Sequence, residues 1–130
     1  MDSSTRVILV VEDDWLLCRD IVDKLQEAGW DVLEASTAED ALEVLHRGQR
    51  VDVLITDIQL AGKLNGWDVA EGLRRVQAEA AVIYASGNSV ERARQVSNSL
   101  FFEKPYSTPA ILEACCRLIG TPIGTANRSR

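Results

Sequence analysis

One rhythm constrains this chain more than any other feature: short, almost wholly apolar runs alternate with segments of helical spacing. Residues 6–12 (RVILVVE), 51–57 (VDVLITD) and 81–86 (AVIYAS) are continuous and rich in β-branched residues. A strand with one wet face alternates polar and apolar residues, so an unbroken run predicts a strand covered on both faces. WDVLEA (30–35) and LFFE (100–103) supply two more strands. Between them, Leu17, Ile21, Leu25 and Ala28 recur at helical spacing over 15–28, and Gly29 provides a stop. Ser36 and Glu39 predict a capping box opening a helix that carries Ala38, Leu42 and Leu45 on one face. Further helices are expected over about 67–77 and, short and polar, over about 89–96. Ser107 or Thr108 caps a last helix with Pro109 in its first turn and Ile111, Cys115, Leu118 and Ile119 on its apolar face. Five strands alternating with five helices make an α/β fold, a doubly wound parallel sheet joined by right-handed crossovers.

At 130 residues the chain is long enough for one core, read as an N-terminal extension (1–5), a domain (6–119) and a disordered, Gly/Pro-punctuated tail (120–130). A net charge of −6 argues against direct nucleic-acid binding, which needs clustered Lys and Arg. No apolar run approaches the ~20 residues of a membrane span, and the N-terminus lacks the apolar centre of a signal peptide. Cys18, Cys115 and Cys116 fit neither a disulfide framework nor a zinc site. They read as reduced thiols of a cytoplasmic protein, with a vicinal redox pair at Cys115–Cys116 as the competing reading.

In doubly wound sheets ligands bind beyond the C-terminal ends of the strands. The first strand ends at Glu12–Asp13, the third at Asp57, the fourth at Ser86, and the fifth just before Lys104. Three carboxylates, a hydroxyl and an ammonium therefore converge on one edge. Grouped carboxylates raise one another's pKa or recruit a cation, and Mg²⁺ takes a few carboxylates, waters and a phosphate. With one lysine on the rim, the group suits a phosphoryl ligand, and Asp57, on a rigid strand end, can act as a nucleophile. Asp14, the third acid of VVEDDW, is placed to cap the first helix.

Residues 6–119 resemble the receiver domain of bacterial response regulators, in its stand-alone, single-domain form. The resemblance rests on VVEDD with Glu12 and Asp13, VLITDIQL with Asp57, YASG with Ser86, and FFEKPY with Lys104–Pro105. It implies a flavodoxin-like receiver fold of strand order 2-1-3-4-5 and a phospho-acceptor switch of two-component signalling. Asp57 corresponds to the phosphoacceptor. Glu12, Asp13, Asp57 and the backbone carbonyl of Gln59 correspond to the Mg²⁺ ligands. Lys104 pairs with the phosphoryl group, after a bond to Pro105 expected to be cis. Ser86 is the switch hydroxyl and Phe101 the switch aromatic. Gln59 and Asn88 occupy rate-tuning places. The implied partners are a histidine kinase or histidine phosphotransfer protein and an unknown protein target, with no membrane and no direct nucleic-acid contact. The implied state is a monomer or a phosphorylation-dependent dimer. The output surface is the fourth helix, fifth strand and fifth helix. Only weak self-catalysed phosphotransfer and dephosphorylation are expected, not enzyme turnover.

The sequence departs from that pattern in three places. The loop after Asp57 reads Leu60-Ala61-Gly62-Lys63-Leu64-Asn65-Gly66, without the usual proline and one residue longer. Only 17 residues separate Ser86 from Lys104, so the fourth helix is expected to be short or irregular. Phe101 has no hydroxyl, so its outward or inward preference must rest on packing alone. Two other classes compete on the same architecture. A Mg²⁺-dependent phosphatase with an aspartyl intermediate needs D-x-D at the end of the first strand, which VEDDW lacks. A flavodoxin-like cofactor-binding module needs a phosphate-cradling loop there, and three acids would repel a phosphate.

Overall fold

Five parallel strands form one sheet: β1 (Val7–Val11), β2 (Asp31–Ala35), β3 (Val53–Asp57), β4 (Ala81–Ser86) and β5 (Ser99–Glu103), in spatial order β2-β1-β3-β4-β5. The computed structural model describes residues 5–87 and 93–123. Four helices cover the sheet: α1 (Trp15–Glu27), α2 (Ala38–His46), α3 (Gly66–Val76) and α4 (Thr108–Ile119). The alternation of side chains along the strands builds two cores. Leu9, Val11, Leu54, Val82 and Tyr84 point to one side, among residues of α2 and α3. Ile8, Val10, Val53, Ile55 and Ile83 point to the other, among residues of α1 and α4. Both faces being covered is why β1, β3 and β4 read as unbroken apolar runs. The edge strands β2 and β5 are half-exposed and carry the polar residues.

The caps set where the helices begin, and two differ from expectation. Asp14 accepts from the Leu16 and Leu17 backbone N–H groups at 3.1 and 3.2 Å and opens α1. Ser107 caps α4, accepting from the Ala110 N–H at 3.3 Å. The box expected from Ser36 and Glu39 is shifted by one residue: Thr37 is the N-cap and accepts from the Asp40 N–H at 3.0 Å. Ala38 and Ala41, both fully buried, fix that phase against the sheet. At α3, Asn65 and Asp68 form a reciprocal capping box, so the helix begins one residue earlier than the apolar spacing suggested.

Five helices are expected and four occur among the described residues. Half of 89–96, residues 89–92, lies outside them, and the part within, 93–96, is a turn followed by coil. α4 thus stands in the place expected of a fifth helix. At the opposite edge of the sheet, Thr5 forms an antiparallel bridge to Ile123, and the Arg6 N–H donates to the Pro122 carbonyl at 2.7 Å. The chain after α4 is therefore docked against the start of β1 as far as Ile123. No helix among the described residues is long and apolar enough to cross a membrane.

All three cysteines are free thiols, Cys18 and Cys115 buried and Cys116 exposed. Successive helical positions point about 100° apart, so the neighbours Cys115 and Cys116 face core and solvent respectively. Burial, reinforced by Glu34, pushes the Cys18 thiol up to about 11. Burial, with Cys116 next, pushes Cys115 up to about 12. These thiols stay neutral in the folded chain while the unfolded chain ionises from about 9. Unfolding then releases protons, so their contribution to stability is intact below pH 9 and is lost as pH rises toward the folded values. Denaturant titrations should show a fall in stability between pH 8 and 10.5, shallower in a C18A/C115A variant. An equal fall in both would contradict this account. Thiol labelling of the native chain should modify Cys116 alone.

Candidate functional site

Asp57 and Ser86 are the last residues of β3 and β4, Glu12 and Lys104 sit one step past β1 and β5, and backbone bonds continue the ladders at this edge. The Glu12 N–H donates to the Ala35 carbonyl at 3.1 Å, the Ile58 N–H to Ala85 at 3.0 Å, and the Lys104 N–H to Ser86 at 2.8 Å. The ladders of β1–β2, β3–β4 and β4–β5 thus extend into the site and fix its backbone. Asp57 is opposite Ala85, and Ser86 is opposite Glu103. The Lys104–Pro105 peptide bond is cis.

On that edge Lys104 bridges two acids. Its Nζ donates to Glu12 Oε1 at 2.9 Å and to Asp57 Oδ2 at 3.0 Å. Glu12 Oε2 accepts from the Asp14 N–H at 3.0 Å. Glu12 is 6% exposed, Asp57 9% and Ser86 1%. Asp13 is exposed, and one carboxylate oxygen from each of Glu12, Asp13 and Asp57 lies within 4.8 Å of the others. Burial drives the Glu12 carboxyl above its ordinary value, against the pull of Lys104 and the Asp14 N–H. Burial disfavours the Lys104 charge, but its bonds to Glu12 and Asp57 outweigh that and leave the ammonium above its ordinary value. Tyr106 packs beside them and is pushed up to about 12, by burial first and by Glu12 next. One lysine therefore balances part of a three-carboxylate cluster. Three carboxylates grouped this closely are the donor set that would suit a hard divalent cation such as Mg²⁺.

The remaining sequence-predicted residues lie nearby or deeper. Gln59 is exposed, two residues past Asp57. Phe101 is not at the acidic edge: it is a half-buried β5 residue opposite Tyr84, with ring centroids 6.4 Å from Tyr84 and 6.5 Å from Trp67. Trp67 and Tyr84 close the trio at 4.6 Å. Trp67 is a buried core residue, while Trp15, next to Asp14 in sequence, is 71% exposed. Asn88 lies outside the described residues.

The profile of the response regulator receiver domain matches residues 8–115. The chain belongs to that family. Among its relatives is the polar-differentiation response regulator DivK of Brucella ovis, 27% identical over 122 residues that cover 89% of this chain and 98% of DivK. The crystal structure of a response regulator receiver protein from Sinorhizobium medicae WSM419 superposes with a TM-score of 0.86 at 29% identity, covering 90% of this chain and 96% of that one. A segment of the autoinducer 1 sensor kinase/phosphatase LuxN of Vibrio campbellii is 25% identical over 114 residues, 85% of this chain but 13% of LuxN. In this receiver the acidic cluster occupies the edge where the family's strand-end motifs converge.

Gly66 is a site residue that local pattern reading passes over. A Cβ there would collide with the Asp57 carbonyl oxygen and lie 3.0 Å from Ile58 Cα. The Gly66 N–H also donates to the Ile58 carbonyl at 2.8 Å. The start of α3 is thereby pressed directly against the backbone of Asp57. Its only sequence signal is a glycine one position after a capping residue. Gly66→Ala should cost about 1–3 kcal/mol of stability, the usual range for overpacking, in a denaturant titration. An unchanged midpoint and slope would show that the contact relaxes freely.

Proposed function

We propose that this receiver is a phospho-acceptor switch in which Asp57 takes a phosphoryl group from a phosphohistidine on a histidine kinase or histidine phosphotransfer protein. The observation that carries the reading is the Lys104 ammonium bridging Glu12 and Asp57, with an Asp13 carboxylate oxygen within 4.8 Å of oxygens of both acids. In the transfer an Asp57 carboxylate oxygen forms the new O–P bond as the donor's P–N bond breaks. The electron pair of that bond returns to the imidazole nitrogen, which takes up a proton. Glu12, Asp13, Asp57 and the Gln59 carbonyl would hold Mg²⁺, which when bound neutralises phosphoryl oxygens. Lys104 exchanges its carboxylate partner for a phosphoryl oxygen, a charge-assisted bond of the same kind.

The added charge of about −1.5 to −2 at Asp57 then draws the Ser86 hydroxyl, one residue past the register partner of Asp57. Phe101 follows by repacking against Tyr84 and Trp67, and the surface of β5, α4 and the β4–β5 connection changes for a protein target. Gln59 and Asn88 tune how long the phosphoryl group survives. The chain acts in the cytoplasm as a monomer or a phosphorylation-dependent dimer. Its chemistry is limited to accepting and slowly losing the group.

With Mg²⁺ and radiolabelled acetyl phosphate, the wild-type chain should take up label and Asp57→Asn should not; undiminished uptake by the variant would overturn the assignment. Asp13→Asn should weaken Mg²⁺ binding at least about tenfold, because even outer-shell partners of bound metals cost that much. Calorimetric titration with Mg²⁺ checks this, and equal affinities would remove Asp13 from the ligand set.

A further inference from the structure

Residues 93–98, the described part of the connection before β5, are held to α3 by two arginines reaching in opposite directions. Arg94 Nη2 donates to Asp68 Oδ1 at 2.9 Å. Its Nε and Nη2 donate to Glu71 Oε2 and Oε1 at 3.0 and 2.7 Å. From α3, Arg74 donates to the Ser97 and Asn98 carbonyls at 2.6 and 3.1 Å and to the Ala80 carbonyl at 2.7 Å. The Val96 N–H donates to the buried Tyr84 hydroxyl at 3.1 Å. This stretch, where a helix is expected, is turn and coil held largely by polar bonds at a surface.

Asp68 makes the arrangement more than a surface tie. Its Oδ2 accepts from the Asn65 N–H at 2.8 Å, closing the capping box, while its Oδ1 takes Arg94. Asn65 ends the loop that begins after Asp57, and Gly66 abuts the Asp57 backbone. One carboxylate therefore joins the Asp57 loop to the connection that follows Ser86. The Asn65 N–H and Arg94 outweigh the effect of burial and hold the Asp68 carboxyl below its ordinary range, so it is charged at neutral pH. A bidentate arginine–carboxylate bond is directional, and an exposed network of this kind is strong enough to bias a two-state element yet weak enough to open.

We propose that Arg94, acting through Asp68 and Glu71, is a latch that holds residues 93–98 against α3 and opposes phosphorylation of Asp57. A phosphoryl group on Asp57 releases it. The proposal rests on the phospho-acceptor reading and makes Arg94 a positioning residue for the switch. Coupling is reciprocal: if phosphorylation weakens the latch, removing the latch eases phosphorylation by the same factor.

The test uses the full chain, with beryllofluoride and saturating Mg²⁺ as the phosphoryl probe, and follows both probe affinity and amide exchange at 93–98. Wild type should lose protection at 93–98, the Val96 amide included, when the probe binds. Arg94→Gln should lack that protection with or without the probe and should bind the probe about fivefold more tightly, the low end of allosteric couplings. Glu71→Gln, a milder surface change that leaves the capping box intact, should shift affinity in the same direction. Protection at 93–98 that is indifferent to the probe, or equal affinity in wild type and both variants, overturns the latch and leaves the phospho-acceptor reading standing. No probe binding by wild type overturns that reading and the latch with it.

Discussion

The parallel ladder is the constraint on which the rest depends. A parallel sheet has all its strands ending at one edge, and here the backbone bonds of three ladders run one residue past the strands. They carry Glu12, the Asp57–Ile58 peptide and Lys104 with them. Side chains far apart in sequence are thus brought together by main-chain geometry before any side-chain interaction acts. The sheet can be this regular because both faces are covered by helices and β1, β3 and β4 are wholly buried. Rigidity at the edge follows from packing in the middle.

On this frame the acids are held in a state that invites a cation and a phosphoryl group. Lys104 reaches two carboxylates, not three, and the exposed Asp13 keeps a carboxylate oxygen within 4.8 Å of oxygens of the other two acids. Removing Lys104 would leave two buried acids facing each other, which explains why a lysine rather than a neutral residue completes the edge. Behind the site lies an apolar counterpart: Trp67, Tyr84 and Phe101 in mutual contact, with the Tyr84 hydroxyl extending to the backbone of Val96. A change at Asp57 therefore has both a polar route, through Asp68 and Arg94, and a packed route, through β4, toward the same connection.

Much of this was legible in the sequence because it is local or periodic. The buried strands announced themselves as unbroken apolar runs, and the rule that doubly wound sheets bind at their strand ends picked out Glu12, Asp13, Asp57, Ser86 and Lys104 together. Asp14 and Ser107 were readable as caps because a cap acts over three residues. What escaped depends on distant partners. The phase of α2 is set by burial of Ala38 and Ala41, which moved the cap from Ser36 to Thr37. Gly66 matters because the Asp57 carbonyl lies against it, and Trp67 because Tyr84 and Phe101, from two strands, meet it on the same face of the sheet. The turn and coil over 93–98 are held by α3, some twenty residues away in sequence, where no helical periodicity could show it.

The central claim is that the acyl phosphate forms at Asp57. Borohydride reduction of the chain after exposure to acetyl phosphate and Mg²⁺, followed by peptide mass spectrometry, locates it directly, because an aspartyl phosphate is reduced to homoserine. The account predicts homoserine in place of Asp57 and at no other acid. Conversion at Asp13 or Asp14 instead, or none anywhere in a chain that has taken up label, would contradict it.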